Sequence, residues 1–470
     1  MILRFLLLLS LVVTLLPCSV EAGTGNAEPG SAGTGSAESG TNFSVHKLGT
    51  GEPNVLIIGG IQGDEPGGFS AASLLSTSYR ITSGAVWVVP NLNFPSIIKR
   101  SRGLHGDMNR KFAALPESDP EYSTVRRIQD LIRTPSLRLV LNLHDGGGFY
   151  RPTHDSQDRN PRRWGQCLII DMAEMPTHPQ GQLEARALAA LADANSNLLA
   201  PEHSLHLKNT LTHLGNPEME KSLSWYAVRN GIPAFGLEAS KNFPVDIRAY
   251  YHLLMVEALL RQAGVGFERD FPLSPAGIAA ALQSNVQIAF AENRVLLPLD
   301  NARPRLGGSI PLPRNAMNNI RTSKPILAVT SLKDEMQVHY GNRTVTRFKA
   351  DWCETDSDLS ALAVTIDGHT QNVHFGDLVD VKEGFAVAAV KGYRVNAIGT
   401  NFGPDESDKT LVRKHFQERY SLDNASRIYR VEAYKGKRFA GMFLVRFSGA
   451  TKPNRNTLPA IAGRETKKGM

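Results

Sequence analysis

Four short stretches carry side chains able to do hydrolytic chemistry. The first is "GGIQGDEPGG", where Gln62 and Glu65 stand three residues apart directly after the apolar run "NVLII". The second is "GDMNRKF", in which Asn109 and Arg110 follow a loop holding Lys99, Arg100 and Arg102. A planar guanidinium grips a carboxylate through two parallel hydrogen bonds, so this stretch fits an acidic ligand. The third is His144, at the end of "LRLVLNLH" and followed by "DGGG". The fourth is Glu238 in "PAFGLEAS", a carboxylate closing an apolar run. An apolar setting raises a carboxyl pKa and suits it to proton transfer. Gln62, Glu65 and His144 together offer O, O and N donors, and zinc in hydrolases takes three protein ligands and keeps one position open. Taken singly, each stretch has a plainer reading: a solvated turn, a surface salt-bridge cluster, a structural histidine, an exposed strand-end glutamate.

All four must be placed by strands. "NVLIIGG", "GAVWVVPNLN", "LRLVLNLHDG" and "IPAFGLEAS" read as buried strands. Alternation puts Val140, Asn142 and His144 on one side of the third of these. Between them lie helical patterns: "GGFSAASLL", "EYSTVRRIQDLIR" with Val125, Ile128, Leu131 and Ile132 on one face, "GQLEARALAALADANSNLL", and "DIRAYYHLLMVEALLRQAG". Continuous apolar strands alternating with helices predict an α/β fold, a mainly parallel or mixed sheet covered on both faces. In such sheets function gathers at the C-terminal ends of the strands. After residue 267 the pattern changes to short runs broken by Asn, Gly and Pro, with "YGNRT" as a hairpin turn. The expected organisation is a catalytic domain over 43–267, a small β-rich domain over 268–345, a second over 346–450, and a basic tail over 451–470.

The N-terminus reads as an export signal. Arg4 precedes the apolar stretch Phe5–Leu16, which is shorter than the ~20 residues of a spanning helix. Val20 and Ala22 suit a cleavage site after Ala22, and 23–42 form a Gly/Ser-rich linker. The mature protein is therefore expected in the periplasm, with no membrane span. Cys167 and Cys353 remain after cleavage and read as free thiols rather than a disulfide framework. The chain is 41% hydrophobic, enough to bury real cores. Its net charge of +7 suits an anionic surrounding such as cell wall. No arginine run interleaved with aromatics is present, which argues against nucleic acid.

In chain order the elements run Gln-x-x-Glu, Asn-Arg, His, Glu. This resembles the zinc carboxypeptidase (M14, funnelin) family, whose order is His-x-x-Glu, Asn-Arg, His, Glu. The resemblance covers roughly residues 50–260 and is narrower still. A branch of secreted bacterial DL-carboxypeptidases that determine helical cell shape carries Gln in the first slot and two small C-terminal β domains. The resemblance implies a carboxypeptidase-like fold and one zinc ion held by Gln62, Glu65 and His144. It also implies Glu238 as general base, and Asn109 and Arg110 on the substrate's terminal carboxylate. Arg100 and Arg102 are both candidates to polarise the carbonyl or hold substrate, Arg102 being preferred. Trp164 either walls the pocket or packs as an ordinary tryptophan, the second being preferred. The implied reaction removes meso-diaminopimelate from the γ-D-glutamyl residue of peptidoglycan tripeptides (muramyl tripeptide), with cell-shape proteins as possible partners. Two alternatives remain at this point. One is a deacylase of the succinylglutamate desuccinylase or aspartoacylase kind, which shares "GGIxGDEPGG". The other is a zinc-free cell-wall scaffold, supported by Gln62 alone.

Overall fold

The computed structural model describes residues 43–176 and 178–448. The expected export signal, linker and basic tail lie outside the described residues.

The N-terminal region is built on a seven-stranded sheet. Its elements are β1 (His46–Gly49), β2 (Asn54–Ile58), α1 (Pro66–Ser78), β3 (Ala85–Val89), α2 (Tyr122–Ile132), β4 (Leu137–Gly146), β5 (Cys167–Ile170), α3 (Leu183–Asn195), β6 (His206–Asn209), α4 (Leu223–Arg229), β7 (Ala234–Ser240), α5 (Val245–Gln262) and α6 (Pro275–Gln283). Strand order is β1-β3-β2-β4-β7-β5-β6. The central four, β3, β2, β4 and β7, run parallel, while β1 pairs antiparallel with β3, and β5 pairs antiparallel with β7 and parallel with β6. Every residue of β2 and β7 is buried. That is why their sequences are near-continuous apolar runs with no alternation. On α2, Val125, Ile128 and Ile132 are buried at helical spacing, as the sequence pattern requires.

The sheet brings the four stretches together. Gln62 and Glu65 leave β2, His144 and Asp145 end β4, and Glu238 nears the end of β7. Parallel pairing sets Glu238 directly opposite His144. These are the C-terminal ends of adjacent strands in a doubly covered sheet, the place where such folds bind ligands.

Helix α6 belongs with this region. Its Ile278 and Ala281 sit in the same apolar core as the sheet, so the catalytic domain extends past 267, to the end of α6. The sequence expectation broke there because the texture turned Pro-rich before the core was complete.

Two β-rich parts follow. In the first, Gln287–Phe290 pairs with Val295–Pro298 and Ile320–Thr322, beside a four-stranded sheet of Ser309–Pro313, Arg343–Cys353, Glu335–Tyr340 and Leu327–Leu332. The expected hairpin turn is present at Gly341–Asn342, with Tyr340 paired to Arg343. The strand Arg343–Cys353 runs across the expected 345/346 boundary, which therefore moves to its end. The second part carries the sheets of Ala361–Ile366 and of Ile428–Lys435 with Arg438–Phe447. That last strand is shared. Met442 and Leu444 point into the core of the first part; Phe443, Val445 and Phe447 point into the core of the second. Period-two alternation thus welds the two β-rich parts along one strand. Cys167 and Cys353 are both free thiols. Among the described residues no helix is long and apolar enough to cross a membrane.

If α6 is part of the catalytic domain, Ile278→Ala should destabilise that domain by about 2–5 kcal/mol, since the side chain is fully buried. Hydrogen exchange along α5 measures this. Faster exchange confined to the strands after 286 would place α6 with them instead.

Candidate active site

Helix α1 starts at Pro66, with proline in its first turn where a missing N–H costs nothing. Glu65 is the N-cap residue, yet its side chain does not cap. Asp145 does so from β4: its Oδ2 accepts the Gly67 N–H at 2.7 Å and an Arg248 N–H at 3.1 Å, and its Oδ1 lies 3.1 Å from His252 Nε2. A side chain at Gly67 would put a Cβ 2.4 Å from Asp145 Oδ1, so this cap requires glycine. With the helix end satisfied elsewhere, Glu65 is free to turn into the cleft. Burial alone would raise the Asp145 pKa. Its bonds to His252, Arg248 and Gly67 outweigh that and hold the carboxyl below the ordinary value.

Three donor atoms converge at the cleft floor. Gln62 Oε1 and Glu65 Oε2 each lie 3.1 Å from His144 Nδ1. All three residues are at least 95% buried. Glu65 Oε2 also accepts the Asp145 N–H at 3.1 Å, while its Oε1 faces Arg102 at 3.3 Å and Lys241 at 3.6 Å.

The Gln62 amide is held in one orientation. Its Nε2 donates to Asp107 Oδ1 at 2.7 Å. A carboxylate only accepts, so the amide nitrogen must face Asp107 and Oε1 must face His144. Asp107 is fixed in turn by Arg102, at 3.0 Å from Nε and 2.9 Å from NH2, and by the Asn109 N–H at 3.0 Å. Burial would raise the Asp107 pKa. The Gln62 hydrogen bond and the Arg102 and Arg110 charges overcome this and lower it, which keeps the group an acceptor.

Glu238 faces the same cleft from β7. Burial pushes its pKa well above 4.5, and the neighbouring Glu65 and Asp145 charges push it further. Its Oε2 has no hydrogen-bond partner. Asn109 Oδ1 accepts the Leu223 N–H at 3.0 Å, tying this side chain to the start of α4. Arg110 lines the cleft, with Nε 3.6 Å from Glu218.

The cleft has a volume of about 200 Å³. It contains Gln62, Glu65, Arg102, Asn109, Arg110, His144 and Glu238 of the expected residues, and it excludes Arg100. Arg100 points to the first β-rich part, where its Nε donates to the Asn342 carbonyl. Trp164 is not an ordinary packing residue: it walls the cleft, with Lys208 Nζ 4.6 Å from its ring centre. Sequence reasoning missed Asp107, Lys241 and the deep wall of Ile169, Met219, Ser224 and Gly236. An acid two residues before Asn-Arg was a readable signal for Asp107. Gly236 lines the cleft beside Ile169; a Cβ there would stand 3.2 Å from the Ile169 side chain.

Among the described residues no three or more His, Cys, Asp and Glu side chains form a metal-binding group.

With this geometry in view, comparison with known proteins is decisive. Residues 40–283 match the catalytic domain described as a carboxypeptidase controlling helical cell shape, and residues 355–448 match the C-terminal domain of metallo-carboxypeptidase. The chain belongs to this carboxypeptidase family. The cell shape determinant Csd4 of Helicobacter pylori, solved with a bound tripeptide, is 40% identical; the match covers 87% of this chain and all of that one, with a TM-score of 0.81. An mDAP-bound form of Csd4, a D,L-carboxypeptidase, is 42% identical over 84% of this chain and 96% of that one, with a TM-score of 0.80. The N-alpha-acetyl-L-2,4-diaminobutyric acid deacetylase of Halomonas elongata is 35% identical over 112 residues, 22% of this chain, and the chain spans 31% of that enzyme's length. The carboxypeptidase-like α/β fold and the family resemblance are thus borne out, and the chain is a metallocarboxypeptidase.

The raised Glu238 pKa has a measurable sign. The folded, metal-free protein keeps a proton that the unfolded chain releases above its ordinary pKa of 4.5. Stability therefore falls as pH rises from that value toward the folded one. Glu238→Gln removes the effect. At about pH 7.5 the metal-free variant should melt above wild type, with the gap closing below about pH 4. Equal melting at both pH values would contradict a carboxyl held protonated by its surroundings.

Proposed function

We propose that this protein is a zinc-dependent DL-carboxypeptidase. On this reading it hydrolyses the γ-D-glutamyl–meso-diaminopimelate bond of peptidoglycan tripeptides and so influences cell shape. The observation that carries the reading is the convergence of Gln62, Glu65 and His144 beside an unpartnered Glu238 carboxylate oxygen. Csd4, similar along its whole length, has been solved with tripeptide and with mDAP, which supports the same substrate class here.

The donor set fits zinc. Two carbonyl-type oxygens and one ring nitrogen, donor types zinc takes, converge with both oxygens 3.1 Å from His144 Nδ1. An amide oxygen is neutral, as imidazole is, so Gln62 leaves the formal charge of a His-Glu-His site unchanged. Gln62, Glu65 and His144 would hold the ion. When bound, zinc supplies Lewis acidity, polarising a carbonyl and acidifying water.

The remaining steps belong to the side chains. Arg110, with Asn109, holds the free carboxylate of the terminal residue, which restricts cleavage to the last bond. Arg102, with half its side chain exposed over Glu65 and Asp107, faces the scissile carbonyl from the mouth. Glu238 takes the proton of the attacking water and delivers it to the leaving amine. Trp164 walls the cleft, and the space over Gly236 takes the terminal residue's side chain. Fixing the substrate this way removes several kcal/mol of orientational cost from the barrier. The enzyme acts in the periplasm after export, where cell-shape proteins are its candidate partners.

Release of diaminopimelate from muramyl tripeptide, followed by mass analysis, tests the reaction. Glu238→Gln should lower kcat by about 10²–10⁴, and a chelator should abolish release reversibly. Undiminished release with chelator would end the zinc reading. Removing the carboxylate that aims Gln62, as Asp107→Ala, should weaken zinc binding by about 10- to 100-fold. Gln62→His should hold or raise zinc affinity; collapse of binding would argue against Gln62 as a ligand.

A further inference from the structure

Two side chains of the catalytic domain are buried in the core of the first β-rich part: Phe69 and Ile97. Each stands directly behind one of the loops that shape the cleft. Phe69 lies on α1, four residues after Glu65. Ile97 lies in the short helix Phe94–Ile98, which leads into the loop bearing Arg102 and Asp107. The two loops are pressed together. Gly63 N donates to Ser101 O at 2.9 Å, and a Cβ at Gly63 would fall 2.1 Å from the Ser96 carbonyl. Ser96 Oγ accepts the Leu104 N–H at 3.1 Å, which extends the contact toward Asp107.

One hairpin turn touches α1 and the 94–107 segment from outside. A Cβ at Gly341 would stand 2.7 Å from the Phe69 ring, so the backbone of the turn lies flush against α1. The next residue, Asn342, offers its carbonyl to Arg100, two residues before Arg102. Gly341 has φ +56°, a conformation that favours glycine. Nearby, Asn91 Nδ2 donates to Pro325 O at 3.0 Å, and Tyr340 Oη donates to Leu282 O, in the last turn of α6, at 2.8 Å.

We propose that the Gly341–Asn342 turn is a positioning element for the active site: it fixes α1 against the 94–107 loop and so sets the Asp107–Gln62 contact. The first β-rich part is then a brace for the catalytic cleft. Arg100, one of the candidate substrate residues, serves as the clamp of that brace. The inference rests on the metal reading of the cleft. It adds that the strength of the site depends on a domain contributing no side chain to it.

Two full-length variants test the brace. Arg100→Ala removes the clamp at an exposed position and leaves both cores intact, so it should fold. Gly341→Ala adds a methyl group toward Phe69. Zinc affinity is read by competition with a chromogenic chelator, and kcat and KM by diaminopimelate release. Both variants should bind zinc about tenfold more weakly, at the low end of outer-shell effects, with kcat falling while KM stays within about twofold. Arg100→Lys, which keeps a donor for the Asn342 carbonyl, should recover most of the loss. Wild-type zinc affinity and kcat in folded Arg100→Ala would overturn the brace and leave the proposed function standing. A rise in KM alone would overturn it in favour of Arg100 as a substrate residue. A wild-type protein that binds no zinc would overturn the metal reading, and the brace with it.

Discussion

The cleft depends on one hydrogen bond, from the Gln62 amide nitrogen to Asp107 at 2.7 Å. An imidazole offers only ring nitrogens to a metal, whereas a primary amide can present either a donor or an acceptor. Only the acceptor end can serve a cation. Asp107 removes the ambiguity, because an ionised carboxylate accepts and never donates. Its surroundings serve that end: two cationic side chains and two N–H donors hold it ionised despite burial. Without Asp107 the Gln62 amide nitrogen would lose the acceptor that fixes which end faces His144.

The fold supplies the constraint on which that bond rests. Gln62 and Asp107 are 45 positions apart in sequence, and they meet because the loop after β2 lies flat on the Ser96–Ser101 segment. Asp145 caps α1 and releases Glu65 from capping, so one carboxylate does the structural work and its neighbour is left for chemistry. Glu238 sits across the strand pair from His144, in surroundings that disfavour its charge. A buried acid with no hydrogen-bond partner on one oxygen costs folding free energy.

Much of this was legible in the sequence, and the physical reason is strand geometry. Buried parallel strands write themselves as apolar runs, and their ends mark where function gathers. Gln62, Glu65, His144 and Glu238 could therefore be found without knowing how the sheet closed. Asn109 and Arg110 were legible as a chemical type. What escaped was set by contacts between distant segments. Arg100 and Arg102 were both substrate candidates in sequence, with Arg102 preferred; Arg102 turns to Asp107 and Arg100 to the Asn342 carbonyl. Whether Trp164 packs into a core or walls the cleft depends on what faces it. The domain limits were misplaced for a related reason. Helix α6 falls beyond the expected limit at 267, yet its two buried residues lie in the catalytic core, and Arg438–Phe447 feeds two cores by simple alternation.

The central claim is that one amide, one carboxylate and one imidazole hold the metal. X-ray absorption at the zinc edge of the loaded protein tests it most directly. The account predicts a first shell of oxygen and nitrogen with scattering from a single imidazole and no sulfur. Two or more imidazoles, or any sulfur, would contradict it.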